Sequence, residues 1–208
     1  MSVALAKHFK TCVVSADSRQ FYKELAIGTA KPSISEQEGV HHYFIDSHSV
    51  TAELTSGEYE KQALSILEKE YATNDVVILA GGSGMFIDAL CIGLDDIPSS
   101  KELRDFIQIE FETNGLTLLL EELKIKDLDY YLAVDRRNPM RIIRAIEVIR
   151  LTGKPYSQFR LSKNGKRPFV VHRFVINHDR VNLYDRINKR VDLMMDAGLL
   201  DEVKSVIE

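Results

Sequence analysis

The sequence predicts an α/β protein with a parallel sheet at its core and a helical insertion within it. Three observations carry that prediction. Two short apolar runs, residues 11–17 and 75–80, have the length and the lack of alternation expected of strands buried on both faces. Between them, a stretch from about residue 57 to 71 places Tyr59, Ala63, Ile66 and Leu67 on one helical face. From about residue 99 the strand character gives way to helical segments alone.

Taken in order, residues 2–9 read as the closing two turns of a helix, with Val3, Ala6 and Lys7 in helical rhythm. The first strand ends on Asp17, and the second runs directly into Gly81, Gly82, Ser83 and Gly84. Strands alternating with helices indicate parallel pairing, and in such sheets ligands bind beyond the carboxyl ends of the strands. Asp17 and the glycine run occupy two such ends. Candidate helices at 101–112, 116–123 and 139–151 follow, separated by Asn114-Gly115 and by a turn at 135–138. Asn138 before Pro139 is a helix start: a side-chain acceptor for the first turn, then a residue whose missing N–H costs nothing there. Residues 170–176 return to strand character, and 180–208 are helical with a break near Ala197-Gly198. The domains so drawn are a discontinuous α/β core of residues 1–95 and 168–208 and a helical insertion of residues 96–167.

Of the 208 residues 45% are hydrophobic and 28% charged, the balance of a soluble globular chain. No apolar run reaches the roughly 18 residues of a membrane span, and no signal peptide stands at Met1, so a cytoplasmic protein is expected. Cys12 and Cys91 form no CxxC pair and read as two reduced, packed thiols. The six histidines make no metal-ligand pattern; His41 and His42 are neighbours that face opposite ways on a strand and read as structural. A formal net charge of −4 argues weakly against a nucleic-acid partner, but its distribution argues the other way. Residues 1–135 carry 11 Lys and Arg against 23 Asp and Glu, whereas 136–173 carry 11 basic residues and Glu147 as the only acid. Positive charge clustered this way attracts a phosphate backbone locally; a solvated basic helix and loop is the alternative.

Four motifs follow one another through the chain. They are Ser15-Ala-Asp-Ser-Arg-Gln-Phe-Tyr22 with Ile27-Gly-Thr-Ala-Lys-Pro32; Gly81-Gly-Ser-Gly-Met-Phe86; Asn138-Pro-Met-Arg-Ile-Ile-Arg-Ala-Ile-Glu-Val148 with Lys154-Pro155; and Leu183-Tyr-Asp-Arg-Ile-Asn-Lys-Arg-Val-Asp-Leu-Met-Met195 with Gly198-Leu-Leu-Asp-Glu-Val203. In this order they resemble the signatures of the tRNA dimethylallyltransferases, the IPP transferase family. Two departures are Arg19, at a variable place of the first signature, and Met140, where the family usually has glutamine. The G-x-x-x-x-G-K-[ST] loop that opens the family, and its C-terminal helical segment, have no counterpart here.

The resemblance implies a P-loop-NTPase-like parallel core with a helical insertion that binds tRNA. It further implies transfer of a dimethylallyl group from dimethylallyl diphosphate to N6 of the adenosine following the anticodon, with Mg2+ shielding the diphosphate. The expected partners are thus the anticodon stem-loop of tRNA and dimethylallyl diphosphate, for a chain expected to be monomeric. Lacking the phosphate-cradling loop, the chain also admits a second reading, an incomplete fragment that binds tRNA without catalysis. A nucleotide kinase of related architecture is a third, which the basic insertion and Gly28-Thr-Ala-Lys-Pro32 speak against.

Asp17 is the expected general base. The adenine N6 amine is a weak nucleophile whose N–H turns acidic as it attacks the allylic carbon, so a carboxylate of ordinary pKa about 3.9 accepts the proton. On position alone, Asp17 equally caps the next turn or holds magnesium-bound water. Arg186 and Arg190, four apart, share a helix face. The resemblance assigns them to the diphosphate, with Arg190 as the catalytic member stabilising the leaving charge; on spacing alone they are surface cations pairing with Asp185 or Asp192. Arg137, Arg141 and Arg144 fall at i, i+4 and i+7, opposite Ile142, Ile146 and Ile149, and predict one basic face suited to RNA. By resemblance the tRNA path includes Asp17, Ser18, Arg19, Gln20, Ser83 and Arg104, with Met140, Arg141, Ile142, Ile143 and Arg144.

Overall fold

The computed structural model describes residues 1–160 and 166–207. The chain divides into two compact units, Met1–Gly93 with Gly165–Glu208, and Leu94–Asn164.

In the first unit, helix α1 (Ser2–Phe9) closes on Lys10 in the left-handed conformation and leads into strand β1 (Val13–Ser15). A short α2 (Ile34–Gln37), started by a Ser33–Glu36 capping box, precedes β2 (His42–Tyr43). Then come α3 (Ser56–Glu70), β3 (Ile78–Ala80) and α4 (Gly84–Cys91). The sheet has the order β2-β1-β3 and both pairings are parallel, with Val13 opposite His42 and Ile78. Thr55 and Glu58 cap α3 reciprocally, which satisfies two N–H groups at its start. The helix buries Tyr59, Ala63 and Leu67 against β1, and the Tyr59 hydroxyl donates to the Ser15 carbonyl at 3.0 Å. Phe86 of α4 stacks on Tyr59 at 4.3 Å between ring centres, so Phe21, Tyr59, Phe86 and Leu90 fill one core with Val14 and Ala16.

The first unit also receives the chain after the insertion. Arg167 pairs with Glu60 and donates to the Ala89 carbonyl, and Phe169 packs on the same core. Residues 170–176, expected as a strand, pair with no strand among the described residues. Phe174 and Val175 are 87% and 90% exposed. Apolar, β-prone composition does not make a strand unless a neighbouring edge takes up the backbone N–H and C=O groups. Numbering the helices through the whole chain, the first unit closes with α9 (Arg180–Asp196) and α10 (Leu199–Ile207).

The second unit contains α5 (Lys101–Asn114), α6 (Thr117–Lys126), α7 (Leu128–Ala133) and α8 (Pro139–Thr152), followed by a 3-10 turn at Tyr156–Phe159. Asn138 caps α8 through Arg141 N–H with Pro139 in the first turn, and Gly153 ends it at φ 70. The apolar face of α8, Ile142, Ile143, Ile146 and Ile149, packs with Ile107, Leu119, Leu123 and Tyr130 into one core. Arg150 clamps Glu110 of α5 and Glu122 of α6 around α8. Among the described residues no helix is long and apolar enough to cross a membrane.

Candidate active site at the ends of β1 and β3

The first two motifs meet where β1 and β3 end. Ala16 N–H donates to the Ala80 carbonyl at 2.7 Å, extending the ladder by one bond. Beyond it, the chain at Gly81 passes directly over Ala16: a Cβ on Gly81 would lie 2.3 Å from the Ala16 carbonyl carbon. Nothing larger than glycine fits that crossing. Ser83 then ties the two segments, its N–H donating to the Ala16 carbonyl at 3.1 Å and its Oγ accepting from Ser18 N–H at 2.8 Å.

Asp17 sits half-buried in this crossing. Its Oδ1 accepts from Arg19 N–H at 2.8 Å and Gln20 N–H at 3.2 Å, so the carboxylate also caps the turn that follows. Both turn bonds fall on this one oxygen, Oδ1. A cavity of about 340 Å³ opens here, lined by Ser2, Val3, Val13, Ser15, Asp17, Gln20, Pro32, His42, Ile45, Ala80, Gly81 and Gly82.

The loop at 25–32 forms another wall. Gln20 Nε2 donates to the carbonyls of Thr29 and Ala30, at 3.2 and 3.3 Å. Lys31 is almost fully enclosed, donating to the Tyr22 carbonyl at 2.7 Å and pairing with Asp46. From α10, the Glu202 carboxylate accepts the N–H groups of Ala26, Ile27 and Gly28 at 2.7, 2.7 and 2.9 Å. Burial pushes the Glu202 carboxyl up, but these three donors and Lys31 outweigh it and hold the group below its ordinary value. Gly28 permits the approach, since a Cβ there would lie 3.1 Å from Leu199 Cδ1.

The remaining expected residues lie elsewhere. Arg19 is exposed beside Asp17. Arg186 and Arg190 are exposed on α9 and do not line the cavity; Arg186 Nη1 meets His178 Nε2 at 3.0 Å. In the helical unit, Arg137, Met140 and Arg141 are exposed at the start of α8. Arg144 departs from the expected single basic face: it turns to Glu147 and donates to the Ile97 carbonyl at 3.1 Å. Arg104 also binds Glu147. Ile142 and Ile143, expected on the tRNA path, are buried in the helical core, where their side chains pack rather than face solvent.

Sequence reading missed His42, Ile45 and Ser15 as lining residues, and Glu202 as an anchor. His42 carried a usable signal, because of two neighbouring histidines on a parallel strand one must face each side. Its Nδ1 lies 2.9 Å from the Val40 carbonyl. Glu202 stands inside the fourth motif, but nothing local names its partners, which lie 174 to 176 positions away. Among the described residues no cluster of three His, Cys, Asp or Glu side chains is placed to hold a metal.

Comparison with known proteins agrees with the motifs. The chain is 44% identical over 207 residues to tRNA dimethylallyltransferase 1 of Bacteroides fragilis and 45% identical over 208 residues to that of Bacteroides thetaiotaomicron. It spans 99% and 100% of itself in these matches and 69% and 68% of those proteins. Among solved structures, the full-length tRNA isopentenylpyrophosphate transferase of Bacillus halodurans matches with a TM-score of 0.60 and 31% identity, over 99% of this chain and 64% of that one. A eukaryotic dimethylallyltransferase captured acting on tRNA matches with a TM-score of 0.78 over 99% of this chain and 52% of that one, and at 24% identity it speaks to the fold alone. The family model for IPP transferase matches residues 20–208, and the chain belongs to that family.

Proposed function

We propose that this chain transfers a dimethylallyl group from dimethylallyl diphosphate to N6 of the adenosine following a tRNA anticodon. The observation that supports this most is Asp17, fixed at the mouth of a cavity at the strand ends by the crossing of Gly81 over Ala16. The names of the relatives point the same way.

In this reading the adenosine leaves the loop stack and enters the cavity, which costs little in an already irregular anticodon loop. N6 attacks the allylic carbon, the carbon–oxygen bond breaks, and the diphosphate departs with the bonding electron pair. Asp17 takes the proton that N6 sheds, while Oδ1 keeps its hydrogen bonds to Arg19 and Gln20 N–H. Arg190 and Arg186 would serve the leaving diphosphate when α9 brings them to it. Magnesium usually binds through one or two carboxylates plus phosphate oxygens and water. Among the described residues Asp17 is the one carboxylate lining the cavity, so the ion would fit as a passenger on the diphosphate and would supply charge shielding there. Arg137, Met140 and Arg141 on the exposed start of α8 would meet the RNA, for a protein acting as a monomer.

The test is label transfer from dimethylallyl diphosphate to an anticodon stem-loop in the presence of magnesium. Label on N6 supports the reading. Stem-loop binding that weakens steeply with salt, without transfer, restricts the chain to RNA binding; neither binding nor transfer overturns the proposal.

A further inference from the structure

Side chains alternate along β1. Cys12, Val14 and Ala16 pack into the core with Tyr59 and Leu67, whereas Val13, Ser15 and Asp17 line the cavity. Ser15 is fixed through its backbone from two directions. Its carbonyl accepts the Tyr59 hydroxyl at 3.0 Å, and the residue stands opposite Ala80 in the ladder to β3. Ser15 is 4% exposed, yet among the described residues its Oγ makes no hydrogen bond. A hydroxyl taken out of bulk water without a partner in the chain is a cost to the fold, and a ligand that answers the group offsets it.

The cavity sets the kind of ligand. Among the described residues no lysine or arginine lines it, and Asp17 is its one carboxylate. That carboxylate repels an anion, whereas a neutral heterocycle that presents N–H groups to it fits. The hydroxyl of Ser15 stands two residues before Asp17 and can donate as well as accept. In adenine the amine N6 is flanked by two ring acceptors, N1 and N7, so a base that offers N6 to Asp17 brings a bare ring nitrogen beside it. In guanine O6 takes the place of the amine, and the carboxylate repels it.

We propose that Ser15 is a specificity-determining residue: its hydroxyl donates to a ring nitrogen beside N6 of the adenine, N1 or N7, while Asp17 holds the amine. This rests on the reading of Asp17 as the group that meets N6. Together the two side chains read a donor with an adjacent acceptor, the pattern of adenine and not of guanine.

The experiment uses anticodon stem-loops with adenosine, 1-deazaadenosine or 7-deazaadenosine at the target position, and measures transfer and binding by the full chain and by Ser15→Ala. Each analogue keeps the amine and replaces one ring nitrogen by C–H. One of the two should cost the parent about tenfold more than it costs Ser15→Ala. Taking that difference cancels the change that the analogue itself makes in the reactivity of the amine. Ser15→Ala should also lose about tenfold on adenosine and melt with the parent in denaturant, since the deleted hydroxyl bonds nothing in the fold. Penalties equal in the two proteins for both analogues overturn the proposal. So does a Ser15→Ala chain that melts markedly earlier, because the hydroxyl then has a partner inside the fold. Where the parent binds the stem-loop without transfer, the same difference is read in affinity. A parent that neither binds nor transfers fails the Asp17 reading, and this inference falls with it; transfer to adenosine that is indifferent to Ser15 removes this inference alone.

Discussion

The Oγ of Ser83 accepts a hydrogen bond from Ser18 N–H at 2.8 Å, joining the segment after β3 to the turn that carries Asp17. Two motifs that lie 65 positions apart thereby form one rigid corner. The structural cost of disturbing that corner can be read directly.

Gly81→Ala should be strongly destabilising. The added methyl would sit 2.3 Å from the Ala16 backbone, which cannot move without breaking the β1–β3 ladder. A loss of about 2–4 kcal/mol is expected, at or above the usual range for overpacking because backbone rather than a side chain must give way. A denaturant melt measures it. Gly82→Ala, with open space at its Cβ position, is the control and should melt close to the parent.

Asp17→Asn should separate chemistry from architecture. The amide oxygen can still accept the two turn hydrogen bonds now made by Oδ1, so fold and stem-loop affinity should persist. Transfer should fall by roughly 10²–10⁴, the usual worth of a positioned base. Equal losses in binding and transfer would contradict the base assignment.

The Glu202 anchor should weaken in acid. Its carboxyl is held below its ordinary value in the folded chain, so the contribution is complete above the unfolded value of about 4.3 and fades as pH falls through the lower folded value. Amide exchange at Ala26, Ile27 and Gly28 should therefore accelerate in acid beyond the intrinsic trend. Glu202→Ala should show fast exchange there at neutral pH as well; protected amides in that variant would rule the anchor out.

Both cysteines are free, and Cys12 is buried. Burial, then the nearby Glu70, pushes its thiol up to about 11. Alkylation of Cys12 in the native chain should be far slower than in a peptide at pH 8, reaching peptide rates only in denaturant. Fast native labelling would mean that the core around Val14 and Leu67 opens readily.

How much of this was legible in the sequence depends on the range of the cause. Helix α8 was readable because its cap, its proline and its isoleucine stripe are all local, and β1 because a short apolar run ending in an acid needs no partner to be recognised. Strand β2 is hinted at only by the opposite facing of His41 and His42, since it is two residues long and His42-Tyr43 has no apolar pattern to give it bounds. Helix α4 begins inside a glycine run that reads as a turn. The error at 170–176 runs the opposite way, since strand composition is local but strand pairing is not. At the site, Asp17 and the glycines could be named in advance, whereas Arg144 was placed on an exposed face because periodicity tells where a Cβ points and not which buried carboxylate the side chain will seek.

The bond from Ala26 N–H to Glu202 spans 176 positions. On a ribosome the turn bearing Asp17 emerges early, but the loop beside it has no acceptor for its three N–H groups until residue 202 has been made. The corner around Asp17 is therefore finished late in synthesis, after its own core has had time to collapse. Contacts so distant in sequence form slowly, because a long loop must close before they return any energy. A nascent chain would carry Asp17 without a completed wall beside it.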